Sequence, residues 1–570
     1  MSVGTFDAWD AAVLISILII SALIGIYYRY TGGKQKTTKE YLMADKSMTT
    51  FPVSFSLMAS FMSAISLMGV SNESYQFGTM FCVINIAYWS STPIAAYIFL
   101  PVFYRMQTTS VYEYLERRFG QATRLCASLA FTIQMVLYMG IALYAPALAL
   151  EAVTGIPRST AILVIGLVCT FYSTLGGLKA VLITDVFQSF LMFAAIFAVI
   201  AVSGIKAGGL GAIWQVAAER GRLEITEFSL DPTVRHTWWS LIIGGMVTYL
   251  SLYGVNQTQV QRLLSVHNLK SAQSALWWNV PILGLLSFST IFSGLAIFYY
   301  YRNCDPLLEG RIKSRDQLMP LFAVDTMVFP SISSAVTSLS AVTLEDYLKP
   351  LYKVIFKRTL IDSKSTLPTK VVAFIFGLLC IGLAFGAGSL GGVLQASLTI
   401  FGVVGGPLLA VFTLGVCTTR SNQRGVLLGF WISIIFAFFI GFGGPKPKPQ
   451  TLTFSTSGCG NTTSFVAEDL RLATESSRVA TEQEYLWLYR LSYLWFSVLG
   501  FLIALVIGYS ASRVLTYLKW ADNSQIYLDK YRKQLDYDLF APPLSRRWRR
   551  QEQERAQSIQ DEIFTKLTEQ

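Results

Sequence analysis

Apolar stretches of about 20 residues, the length of helix that crosses a hydrocarbon layer ~30 Å thick, recur from residue 11 to residue 510 with short polar loops between them. About thirteen runs meet that description, near 11–29, 50–70, 81–104, 125–150, 159–178, 185–206, 238–258, 276–300, 317–343, 368–388, 393–418, 425–443 and 486–510. The ninth is the weakest, since it carries Asp325 and a polar flank. The pattern predicts an all-α, polytopic membrane protein. Asp7 and Asp10, not Lys or Arg, precede the first run, so it reads as a retained span rather than a cleaved signal.

Charge orients the spans. Arg29, Lys34, Lys36, Lys39 and Lys46 directly follow the first run, and basic residues gather at cytoplasmic span ends, so the N-terminus is expected outside. Alternation then places inside the loops holding Arg105, Arg117 and Arg118, Arg262 and Lys270, Lys349 to Arg358, and Arg420 and Arg424. An odd span count puts the tail 513–570 inside as well. A chain that is 53% hydrophobic and only 14% charged exceeds what a soluble core requires, which supports insertion. The net charge of +11 then follows from topology and from Arg546-Arg547-Trp548-Arg549-Arg550 in the tail, so anionic lipid and not nucleic acid is the expected partner.

Catalysis finds little support. The two histidines, His236 and His267, lie outside span centres without a second ligand and read as solvated loop residues; neither metal-ligand spacing nor a nucleophile–base set occurs. The loop 444–484 is expected outside and contains the glycosylation sequon at Asn461. Cys304 and Cys459 both fall in outer loops, where a disulfide between them is predicted; two free thiols are the alternative.

Within the second run, Phe55 to Gly69 is rich in Ser and Ala, which suits either close helix packing or a helix interrupted at mid-membrane. Gly176 and Gly177 read as a tight turn that places Asp185 at the start of the following helix. A carboxylate there either caps the helix or answers a cation, and Arg262 is the nearest basic candidate, so the two are expected to form an inner gate latch near Gln188.

The blocks Gly176-Gly177-Leu178-Lys179-Ala180-Val181 with Asp185 and Gln188, Tyr253 to Arg262, Tyr144-Ala145-Pro146-Ala147-Leu148, Gly405-Gly406-Pro407-Leu408-Leu409 and Ala341 to Asp346 resemble the sodium/solute symporter family, in the branch of iodide, monocarboxylate and multivitamin symporters. The likeness runs from about residue 10 to 515. It implies a leucine-transporter-like fold of two inverted five-helix repeats, at 50–206 and 238–418. Around them lie an N-terminal segment (residues 1–49), an outer loop (207–237), a two-span region (419–512) and the tail 513–570. It further implies sodium as coupling ion, held by main-chain oxygens of Ala59 and Met62, with Ser63, Ser66, Tyr144, Tyr253, Asn256 and Gln257 lining the site of substrate or a second sodium. The implied function is sodium-coupled uptake of a small organic anion, a monocarboxylate or a vitamin such as pantothenate or biotin, at the plasma membrane by alternating access. The alternatives are an inorganic anion such as iodide, or a non-transporting sensor on the same scaffold.

One segment departs from the family pattern. Between Asp325 and Thr343 the chain falls short by about one helix, ~20 residues. The family's paired hydroxyl ligands for sodium fall here on Pro330 and Ser331, so only Ser331 survives. Either residues 317–329 are drawn into the bilayer, or part of a helix is lacking; the cost of carrying Asp325 into hydrocarbon favours the second.

Overall fold

Every apolar run among the described residues folds mainly into helix in the computed structural model, which describes residues 38–154, 156–326, 362–387, 392–447, 449–459, 486–518 and 537–551 and a few isolated positions. Helix α1 (Thr50–Ala59) and helix α2 (Ala64–Phe77) meet at 57° across a short break. There follow α3 (Thr79–Met106), α4 (Tyr112–Arg118), α5 (Gln121–Thr154), α6 (Arg158–Ala207), α7 (Ser240–Gly254), α8 (Gln257–Leu263) and α9 (Leu269–Tyr301). Further along the chain come α10 (Leu318–Thr326), α11 (Asp362–Gly386), α12 (Val393–Cys417), α13 (Gln423–Phe442) and α14 (Trp495–Tyr517).

Seven helices among the described residues are long and apolar enough to cross a membrane, and the bent α1–α2 pair makes an eighth. The expected span at 11–29 and the end of 317–343 lie outside the described residues, as do Ser331 and Asn461. Helix α12 is buried along nearly its whole length, whereas Leu428, Ile435 and Val506 of α13 and α14 stay exposed, as lipid-facing positions do. Small residues set the closest crossings. A Cβ on Gly294 of α9 would lie 2.3 Å from the Ser71 carbonyl of α2, and one on Gly429 of α13 would lie 2.5 Å from the Gly508 nitrogen of α14.

The Gly-Gly pair does join two helices: within α6 the first ends and the second begins at Gly177 (φ 63°, ψ −172°), where a Cβ would lie 2.9 Å from the Tyr41 carbonyl. Asp185, expected at the start of the second helix, lies instead about two turns inside it and is no cap. Asp325 has the partners that the first reading of this segment requires, Arg311 and the Tyr301 hydroxyl each donating to it at 2.8 Å, which lowers the cost held against that reading. His236 is not solvated but buried at 6% exposure against Glu73 and Tyr493, while His267 is exposed. Cys304 and Cys459 are joined by a disulfide, their Cα atoms 5.1 Å apart.

Candidate functional site

The helix breaks where serines compete for its carbonyls. The Ser60 hydroxyl donates back to the Ser56 carbonyl at 2.6 Å, a bond that loosens a helix from within. Ser63 then restarts the helix as the N-cap of α2, accepting from the Ile65 N–H. Between the two, the Phe61 carbonyl accepts from the Ser66 hydroxyl at 3.2 Å and the Tyr138 hydroxyl at 3.4 Å. The carbonyls of Ala59 and Met62 receive no hydrogen bond among the described residues, and both residues are half-buried. Unbonded main-chain oxygens inside an apolar bundle suit a hard monovalent cation, so the residues present fit sodium there.

An aromatic wall adjoins the break. Phe61 packs edge-on against Phe401 of α12 at 5.3 Å and Tyr253 of α7 at 6.2 Å, and Tyr138 of α5 lies 4.6 Å from Phe401. The start of α2 supplies the positive end of a helix dipole. Helix α7 is itself interrupted, between Gly254 and Gln257, and the two interrupted pairs share an atom: the Leu57 carbonyl accepts from the Tyr253 hydroxyl at 3.4 Å and from the Gln259 side chain at 3.0 Å.

Below the break lies a charged cluster with almost no exposure. Arg262 lies 3.3 Å from Asp185, donates to the Ser56 hydroxyl at 2.9 Å, and its carboxylate partner also accepts from Ser56. Three elements, α1, α6 and α8, are tied together there. Gln188 is buried one turn further along α6.

Other expected residues are placed elsewhere. Asn256 caps α8 by accepting from the Thr258 N–H at 2.9 Å, and Gln257 binds the Thr109 carbonyl and the Val111 N–H, each at 2.8 Å. The Asn256 side-chain oxygen and both ends of the Gln257 amide are thus bonded to main chain. Tyr144 stands about 9 Å along α5 from Tyr138, where Arg158 donates to its hydroxyl at 3.0 Å while pairing with Glu151.

A second buried charge cluster escaped the sequence reading. Glu73, in the C-terminal half of α2, accepts from Arg235 at 2.6 Å and lies 3.1 Å from His236, while Arg235 also reaches Gln395 of α12 at 2.9 Å. Burial holds the His236 imidazole below its ordinary pKa against the pull of Glu73. Next to it Asn72 donates to Asp316, which also accepts from the Val393 N–H at the start of α12. The signal was available: a carboxylate inside an apolar run needs a partner.

Interrupted helices crossing inside an apolar bundle, with free carbonyls at one break, define a secondary carrier of the leucine-transporter type. Its fold is shared by the solved substrate-bound, outward-open sodium-coupled sialic acid symporter, with a TM-score of 0.73 at 23% identity over 89% of this chain and 98% of that one. Residues 41–433 match the model of the sodium:solute symporter family, and the chain belongs to that family. It is 57% identical to the Drosophila melanogaster protein named "Putative sodium-dependent multivitamin transporter", over 96% of this chain and 93% of that one. It is 40% identical to the human sodium-coupled monocarboxylate transporter 1 (81% and 78% covered) and 40% identical to the rabbit, Oryctolagus cuniculus, sodium-dependent multivitamin transporter (77% and 71%). The chain is thus a membrane-embedded, sodium-coupled solute symporter, and its relatives are transporters rather than enzymes.

Proposed function

We propose that this symporter brings a small organic anion, a monocarboxylate or a vitamin such as pantothenate or biotin, into the cell across the plasma membrane with sodium, by alternating access. The names of its relatives supply the substrate class. The observation that carries the reading is the pair of unbonded carbonyls, Ala59 and Met62, at the break between α1 and α2. Sodium bound there, completed by Ser331, orders the break and favours the state open to the outside; Ser63, Ser66 and Tyr253 border the adjacent space for substrate, and Tyr144 lies further out. The anion is read by the helix start at Ser63, by hydroxyls and by the charge of the bound sodium, since the aromatic wall holds no basic side chain. With the N-terminus outside and the tail inside, Asp185, Ser56 and Arg262 form the latch that closes the inner path.

Proteoliposomes containing the purified chain test this directly. Labelled biotin, pantothenate or lactate is expected to accumulate on an inward sodium gradient and not when choline replaces sodium. Equal uptake of all three under both conditions would remove the proposal.

A further inference from the structure

A basic tail is ordinarily solvated, but a stretch of this one has a built seat. Leu539, Phe540 and Ala541 are 2%, 0% and 3% exposed. The Tyr114 hydroxyl of α4 donates to the Leu539 carbonyl at 3.0 Å, and the Ala541 N–H donates to the Val416 carbonyl in the last turn of α12 at 3.1 Å. Arg118 lies 5.3 Å from the Phe540 ring centre while donating to the Gly415 and Thr418 carbonyls, and Asp538 pairs with Arg105 near the end of α3 at 3.6 Å. Residues 542–551 continue as a helix, with Trp548 edge-on to Phe540 at 5.1 Å. The Gln257 bonds to Thr109 and Val111 put α8, and with it Arg262, at this same end of the bundle.

We infer that the segment 537–551 is a regulatory strap that keeps this end of the bundle closed. It is fastened to α3, α4 and α12 together, so opening a path between α3 and α12 here stretches or releases it. Release shifts the population toward the state open at the Arg262 end and weakens sodium binding from the opposite side, because sodium and strap favour the same closed arrangement. Nothing in sodium coupling itself requires such a segment, and its seat is separate from the break at residues 59–62.

Cys417, half-buried at the end of α12 beside Val416, reports on the strap. The full chain in nanodiscs, both faces accessible, is treated with a polar maleimide, and Cys417→Ser identifies the signal. Phe540→Ala is expected to speed Cys417 modification roughly tenfold, well within the equilibrium change that loss of a buried ring produces. It is also expected to raise the sodium concentration for half-maximal uptake, while buried Cys380 stays unmodified. Should Phe540→Ala not fold, Tyr114→Phe combined with Asp538→Ala removes the polar ties and keeps the ring. Unchanged Cys417 reactivity in a folded variant overturns the strap, and faster reactivity with unchanged sodium dependence reduces it to a passive cover and overturns the regulatory claim. Absence of any sodium-driven uptake in the unmodified chain would count against the transport reading alone, since the nanodisc measurement does not depend on it.

Discussion

Removing the Asp185 carboxylate leaves the Arg262 guanidinium buried without its counter-charge, a loss of about 3–5 kcal/mol in comparable buried pairs. Asp185→Ala and Arg262→Ala are therefore expected to lower the melting temperature and the uptake rate together, and unaltered uptake in both would dismiss the latch. His236 gives a pH signature. Its folded-state pKa lies below the unfolded value, so the unfolded chain binds the extra proton and stability falls as pH drops through the ordinary imidazole range near 6.5. The melting-temperature advantage of the native chain over His236→Gln should be full above pH 7 and shrink toward pH 5.5; a constant difference refutes the argument. At this scale charge was legible and amides were not. Asp185 and Arg262 had to be answered within an apolar environment, and the same rule applied to Glu73 points to Arg235. The polarity of Asn256 and Gln257 announces that hydrogen bonds are made, but not that their partners are the backbone of α8 and of residues 109–111.

Helices were readable because a span must satisfy its own backbone over about 20 apolar residues. The join of two helices at Gly177 was readable as well, since Gly takes the positive φ found there without strain, but how deep Asp185 sits in the second helix was not. Gly177→Ala meets both the positive φ and the Tyr41 carbonyl, and is expected to destabilise the chain by about 1 kcal/mol or more, measured as a lower melting temperature, with Gly208→Ala as a control at a positive φ without a neighbouring atom. The break in α1–α2 was half legible. Its serines and alanines served packing and interruption equally well on paper, and the back-bond from Ser60 to Ser56 shows how the hydroxyls act.

Across the whole molecule, the Cys304–Cys459 bridge joins positions 155 residues apart and holds the loop after α9 against the segment before α14, where the Asp305 N–H also donates to Ser455. Losing it is expected to cost on the order of 2–5 kcal/mol. Cys304→Ser, Cys459→Ser and the double replacement should melt at the same temperature, lower than the unmodified chain; an additive loss in the double variant argues that the two thiols act separately. Leu57 ties the two interrupted helix pairs to each other. Its one oxygen is the hub on which both severed rods bear, and slippage of about 0.5 Å takes either donor beyond useful range. Rearrangement about that point is therefore abrupt, like a gear tooth clearing its notch, and halfway postures should be thinly populated.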